Sequence, residues 1–151
     1  MDADQLLQSL GVRLGLTDLR FDGNGCARLA IEGAPALDFE RDVAGAIQLY
    51  SVLAPLPPAG REALYARLLK GNLFGASTAG ASLAIDDLHD EVLLCRTVLA
   101  ELATPASFAA EVEVFVNAAE DWQGRLVNGA GDGESARAGA APRLMEHFLR
   151  G

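Results

Sequence analysis

Residues 82–99 read SLAIDDLHDEVLLCRTVL, and the polar cluster at their centre, Asp86 to Glu91, decides between two classes of protein. Read as chemistry, Asp86, Asp87, His89 and Glu91 offer carboxylates and an imidazole to a divalent cation or to acid–base catalysis. Read as structure, the same residues are the polar tip of a β-hairpin. The flanks favour the hairpin. Leu83 and Ile85 alternate before the tip, and Val92, Leu94 and Val98 alternate after it, the period of half-buried strands. Aspartate suits such a tip because its carboxylate accepts from nearby backbone N–H groups. The metal reading fails on spacing: the glycine that turns a calcium loop is missing, and zinc wants several His or Cys ligands. The chain has two histidines, and the second, His147, lies beyond a Gly/Ala-rich stretch. Carboxylate pairs for hydrolysis face each other across a cleft, whereas neighbours in a turn point apart. A small acidic metal-binding protein or enzyme built on Asp86–Glu91 stands as the alternative reading.

Upstream of the hairpin, Leu6, Leu10 and Leu14 recur every four residues with Leu7 widening the stripe, which predicts an amphipathic helix. Asp2 or Asp4 caps its start and Gly15 its end. Leu19 and Phe21 alternate, Asp22-Gly23-Asn24-Gly25 forms a turn, and Leu29 and Ile31 alternate again, predicting a first hairpin. Leu37 and Phe39 mark a further strand. Ile47, Leu49, Ser51 and Leu53 alternate with Gln48, Tyr50 and Val52 in a strand apolar on both faces, as expected at the centre of a sheet. After Pro55, Pro57 and Pro58, a second helix groups Leu64, Tyr65, Leu68 and Leu69. Leu73 and Phe74 prolong its apolar character.

Downstream, Thr104-Pro105 is a helix cap followed by proline at the first helical position. Phe108, Val112, Phe115, Ala119, Trp122 and Leu126 then follow at steps of four and three. The expected fold class is α+β, in the order α-β-β-β-α-β-β-α, with a twisted, mostly antiparallel sheet flanked by helices. Residues 1–127 form the domain, 128–142 a Gly/Ala-rich linker, and 143–151 a short amphipathic tail with Leu144, Met145, Phe148 and Leu149.

The chain has 151 residues, half of them apolar, with net charge −9 and a pI of about 4.6. One domain with a real core fits that length. The acidity argues against nucleic acid and anionic membranes, which attract Lys/Arg patches. No apolar run reaches the length of a membrane span, and Asp2 and Asp4 replace the basic start of a signal peptide. Cys26 and Cys95 fit no metal or redox spacing, so they read as small buried hydrophobes of a reducing compartment. No G-x-S-x-G surrounds a serine, and GNLFGASTAG (71–80) lacks the phosphate-loop lysine. Catalytic residues, metal and cofactor are all expected to be absent.

Three stretches together resemble the class I type III secretion chaperones, the family of the Tir chaperone: LGVRLGLTDLRFDGNGCARLAIEG (10–33), LLKGNLFGASTAGASLAIDDLHDEVLLCRTV (68–98) and FAAEVEVFVNAAEDWQGRL (108–126). The resemblance spans about residues 5–127. It implies a non-enzymatic, cytoplasmic bacterial homodimer that binds a secreted effector protein near its N-terminus without ATP hydrolysis, and the secretion-apparatus ATPase as a further partner. It also implies a dimer interface on the second helix and its surroundings: Leu64, Tyr65, Leu68, Leu69, Leu73 and Phe74. Effector contacts are expected on an apolar patch of the sheet and first helix: Leu10, Leu14, Phe21, Leu29, Ile31 and Leu49. A regulatory adaptor of the same fold is the neighbouring reading.

Overall fold

The computed structural model describes residues 1–129. The rest of the linker and the tail at 143–151 lie outside the described residues. Helix α1 (Ala3–Leu14) starts at a capping box between Asp2 and Gln5 and stops at Gly15, whose φ of 72° is left-handed, a conformation glycine adopts without strain. Strands β1 (Cys26–Leu29), β2 (Leu37–Arg41) and β3 (Ile47–Pro55) form an antiparallel meander. Helix α2 (Arg61–Gly71) carries the chain to the far edge. There β4 (Ser82–Asp86) turns into β5 (Glu91–Val98), which inserts beside β3. The sheet order is β1-β2-β3-β5-β4. Helix α3 (Pro105–Val127) closes the fold behind a Thr104–Ser107 capping box.

Sequence alternation explains the layering. Ile47, Leu49, Ser51 and Leu53 of β3 are buried, while Gln48, Tyr50, Val52 and Ala54 are half-exposed. The buried face meets α3, with Phe39 and Phe108 ring centroids 6.4 Å apart. Leu6, Leu7 and Leu10 of α1 and Val112, Phe115 and Trp122 of α3 complete the core. Ser51 keeps its buried hydroxyl satisfied by donating to the Ala36 carbonyl at 2.8 Å, as an unpaired one would be costly. The opposite face carries Cys26 and Cys95. Both are half-buried rather than enclosed.

The strand expected at Leu19–Phe21 does not form. Leu19 is buried, and its β-carbon lies 3.1 Å from where a side chain on Gly11 would begin, so the segment folds back on α1. β1 pairs instead with β2, Ala27 opposite Phe39. The Asp22–Gly25 turn survives because the Asp22 carboxylate accepts from the N–H groups of Asn24 (2.8 Å) and Cys26 (2.9 Å). Ile31 falls past the end of β1 and is buried.

Residues 87–90 are the turn between β4 and β5. The Asp86 carboxylate accepts from the N–H groups of Leu88 (2.9 Å) and His89 (3.2 Å) and from His89 Nδ1 (2.8 Å). Among the described residues, no group of three or more His, Cys, Asp and Glu side chains is placed to hold a metal ion. The Asp86 hydrogen bond raises the pKa of His89, and the same bond lowers that of Asp86. The pair is therefore charged between those two values. Its contribution through His89 is complete below the ordinary histidine pKa and lost as pH rises past the raised one. Its contribution through Asp86 is lost as pH falls past the lowered one. NMR titration of Asp86→Asn is expected to return His89 towards its ordinary value; an unchanged midpoint would remove Asp86 as the cause.

Asn72, just after α2, joins that helix to the outer strand. Its Nδ2 donates to the Leu83 carbonyl (3.0 Å) and its Oδ1 accepts from the Leu83 N–H (2.7 Å). Asn72→Ala leaves both backbone groups without these partners. At about 1 kcal/mol for each lost bond, the variant is expected to lose about 2 kcal/mol and several degrees in Tm. Thermal unfolding unchanged within a degree would contradict that.

Candidate functional site

Both sheet edges carry a side-chain cap, Asn72 at β4 and Asp22 at β1. At the β4 edge, Asn72 caps the Leu83 N–H and C=O, so an incoming strand finds that position taken. At the β1 edge, Arg41 N–H donates to the Gly25 carbonyl at 2.8 Å. Antiparallel alternation then turns the backbone groups of Ala27 and Leu29 towards β2 and those of Cys26 and Arg28 outwards. Asp22 satisfies both groups of Cys26: its carboxylate takes the N–H and its own N–H reaches the Cys26 carbonyl at 2.8 Å. The backbone groups of Arg28 face a cleft of about 450 Å³ between residues 15–20 and residues 27–30. Leu16, Leu19, Ala27 and Leu29 give it apolar walls, while Asp18, Arg20 and Arg28 give it charge.

Arg28 is positioned by a forked ion pair: Nε and Nη2 donate to the two Asp38 oxygens at 2.6 and 2.9 Å. Asp38 is buried, so this pairing is what makes its charge tolerable there. Tyr50, opposite Asp38 in the β2–β3 register, has its hydroxyl pKa raised by burial first and by the neighbouring carboxylate second.

A second uncovered surface lies at the end of α2. Leu68 is 4% exposed and Leu64 packs against the core, whereas Leu69 is 73% exposed and Tyr65 also faces solvent. The single turn Leu73–Gly75 follows, with Phe74 at φ 55° and 96% exposed. An aromatic residue held left-handed is strained, and its ring gains nothing from the protomer. The loop behind it is nevertheless fixed. Ser77 Oγ donates to the Gly71 carbonyl (2.8 Å), Thr78 Oγ1 to that of Ala81 (2.6 Å) and Trp122 Nε1 to that of Ser77 (2.9 Å). These bonds give GNLFGASTAG a structural role. Close packing anchors it further: a β-carbon on Gly71 would sit 2.6 Å from the Trp122 ring.

The residues expected to contact a client do not form one exposed patch. Leu10, Leu29, Ile31 and Leu49 are buried in the protomer core, because stripe and alternation report burial without naming what does the burying. Leu29 nevertheless forms part of the cleft wall. Leu14 and Phe21 are half-buried at the margin of the core, with the Arg41 guanidinium 5.5 Å from the Phe21 ring centroid. Of the residues expected at a dimer seam, Leu68 is inside and Leu64 half-buried, while Tyr65, Leu69, Leu73 and Phe74 share the exposed surface. Sequence reasoning missed Leu16, Ala27 and Arg20 of the cleft. Leu16 and Arg20 belong to no run that periodicity can detect, and Ala27, though in phase with Leu29 and Ile31, is too small to stand out in it.

Comparison with known proteins fits this geometry. Residues 5–123 match the Tir chaperone protein (CesT) family. Over 121 residues the chain is 30% identical to the Chlamydia pneumoniae protein CPj0713/CpB0740, which covers 79% of this chain and 92% of that one. Its fold is similar to a chain of the ExsC–ExsE complex (TM-score 0.66, 22% identity, 82% and 95% of the two chains). It is also similar to a chain of the HopA1–SchA chaperone–effector complex (TM-score 0.64, 21% identity, 80% and 91%). A third likeness is to a chain of the ExoU–SpcU complex from the type III secretion system of Pseudomonas aeruginosa (TM-score 0.61, 20% identity, 83% and 95%). With the match covering nearly all of the described residues, the chain belongs to the Tir chaperone protein (CesT) family.

Proposed function

We propose that this protein is a type III secretion chaperone: a cytoplasmic homodimer that binds the N-terminal region of an effector protein and keeps it soluble and competent for export. It performs no catalysis and uses no cofactor. Family membership over residues 5–123 carries the reading, and the outward backbone groups of Arg28 on the edge strand β1, beside a cleft with apolar walls, give it a physical basis. A client strand added there gains main-chain hydrogen bonds whatever its sequence, while Leu16 and Ala27 select apolar side chains. The exposed Tyr65, Leu69, Leu73 and Phe74 fit an isologous contact with a second copy. Among the described residues no helix is long and apolar enough to cross a membrane, in keeping with a cytoplasmic escort.

The test is co-expression with secreted proteins encoded nearby, followed by size exclusion. Co-elution of the chain with one of them is the expected result. A chain that elutes alone in every pairing, with each candidate stable without it, would end the proposal.

A further inference from the structure

We propose that the β1 cleft takes an extended client segment carrying an aspartate or glutamate opposite Arg20, with apolar residues alternating along it. The inference rests on the chaperone reading above and specifies the chemistry of the client.

Charge on the protein makes Arg20 unusual. Arg137, Arg143 and Arg150 balance Asp132, Glu134 and Glu146, so the net charge of −9 belongs to the described residues. In so acidic a body most arginines are committed: Arg28, Arg41, Arg61, Arg96 and Arg125 each pair with a carboxylate. Arg20 lines the cleft and, among the described residues, has no carboxylate partner. Two arginines stand against one aspartate in the lining. Arg28 already holds Asp38, which leaves Arg20 as the donor available to a client.

The backbone supplies the second constraint. The outward N–H and C=O of Arg28 align an added strand along β1, and strand side chains then alternate between two directions. The cleft offers such a strand both the apolar side chains of Leu16 and Ala27 and the charge of Arg20, and we assign one set to the first and the other to the second. A carboxylate in the second set gains a charge-assisted bond in a partly enclosed cleft, and a lysine there meets like charge. The chain's own 143–150 end, with Arg143 and Arg150 against Glu146, is the wrong sign for this position.

Twelve-residue random peptides displayed on phage, panned in parallel on the full-length protein, on Arg20→Glu and on Leu16→Asp, test the proposal. The wild-type protein is expected to enrich alternating apolar sequences containing Asp or Glu, Arg20→Glu to enrich Lys or Arg at that position, and Leu16→Asp to enrich neither. A fluorescent synthetic peptide of the wild-type consensus is expected to bind Arg20→Glu about tenfold or more weakly, and its Glu→Lys version to regain affinity for that variant. Arg20→Gln, which removes charge without reversing it, is expected to fall between. The same peptides enriched on wild type and Arg20→Glu, with no acidic bias, would overturn the charge assignment and leave the chaperone reading standing. Enrichment unchanged by Leu16→Asp, or displacement of the probe by a synthetic peptide of residues 143–150, would place another site or occupant there and overturn it as well. No enrichment on any of the proteins would overturn the charge assignment, while the co-elution experiment above decides the chaperone reading separately.

Discussion

A chain carrying Leu69→Asp and Phe74→Asp is expected to fold and to run as a monomer, whereas Leu68→Asp alone is expected to leave no soluble protein. The three residues lie within seven positions of one another, yet their surroundings differ. Leu68 is 4% exposed and belongs to the core cluster that also holds Leu83 and Trp122. An unpaired charge there costs about 3–5 kcal/mol, a large share of the roughly 5–15 kcal/mol that holds a domain together. Leu69 and Phe74 touch water already, so charging them leaves the protomer's packing as it was. In a twofold contact each appears twice, and burying each side chain contributes about 1.5–3 kcal/mol. Removing four such contributions and placing four carboxylates together is enough to separate the subunits. Circular dichroism and light scattering read the two outcomes. A folded dimer of the double variant would move the interface away from α2.

Client retention is expected to collapse in Leu16→Asp with Ala27→Asp while the thermal midpoint moves little. Both residues line the cleft and are half-buried at the margin of the core. A leucine withdrawn from a client contact forfeits about 1.5–3 kcal/mol, roughly ten- to a hundredfold in Kd, before the added charge is counted. Co-purification of an effector fragment, set beside melting of the free chaperone, separates lost binding from lost fold. Full retention would mean that the client lies on another surface, with the half-exposed sheet face of Tyr50 and Val52 the next to examine.

Much of this architecture was legible because burial writes a period into sequence. The steps of four and three from Phe108 to Leu126 describe α3, and the alternation through Ile47–Leu53 describes the central strand. Asp86–Glu91 was readable as a turn because both flanks carried strand periodicity. The alternation of Leu19 and Phe21 was too brief to outweigh Leu19's packing on Gly11, and no strand formed. On α2, Leu64, Tyr65, Leu68 and Leu69 share one apolar arc. Only contacts with α3 and β4, fixed by Gly71 against Trp122 and Asn72 against Leu83, divide that arc into core and surface. The cleft was invisible for a related reason: it arises where a loop passes an unpaired strand edge, and neither feature has a period.

The mass of the complex tests the account most directly. Light scattering on the full-length chain, co-purified with a secreted protein encoded beside it, is expected to return two copies of the 15.8 kDa chain plus client. A species of 15.8 kDa, with no client bound whichever neighbour is supplied, would contradict the claim that apolar surfaces left open on one copy are kept for a second copy and for an unfolded partner.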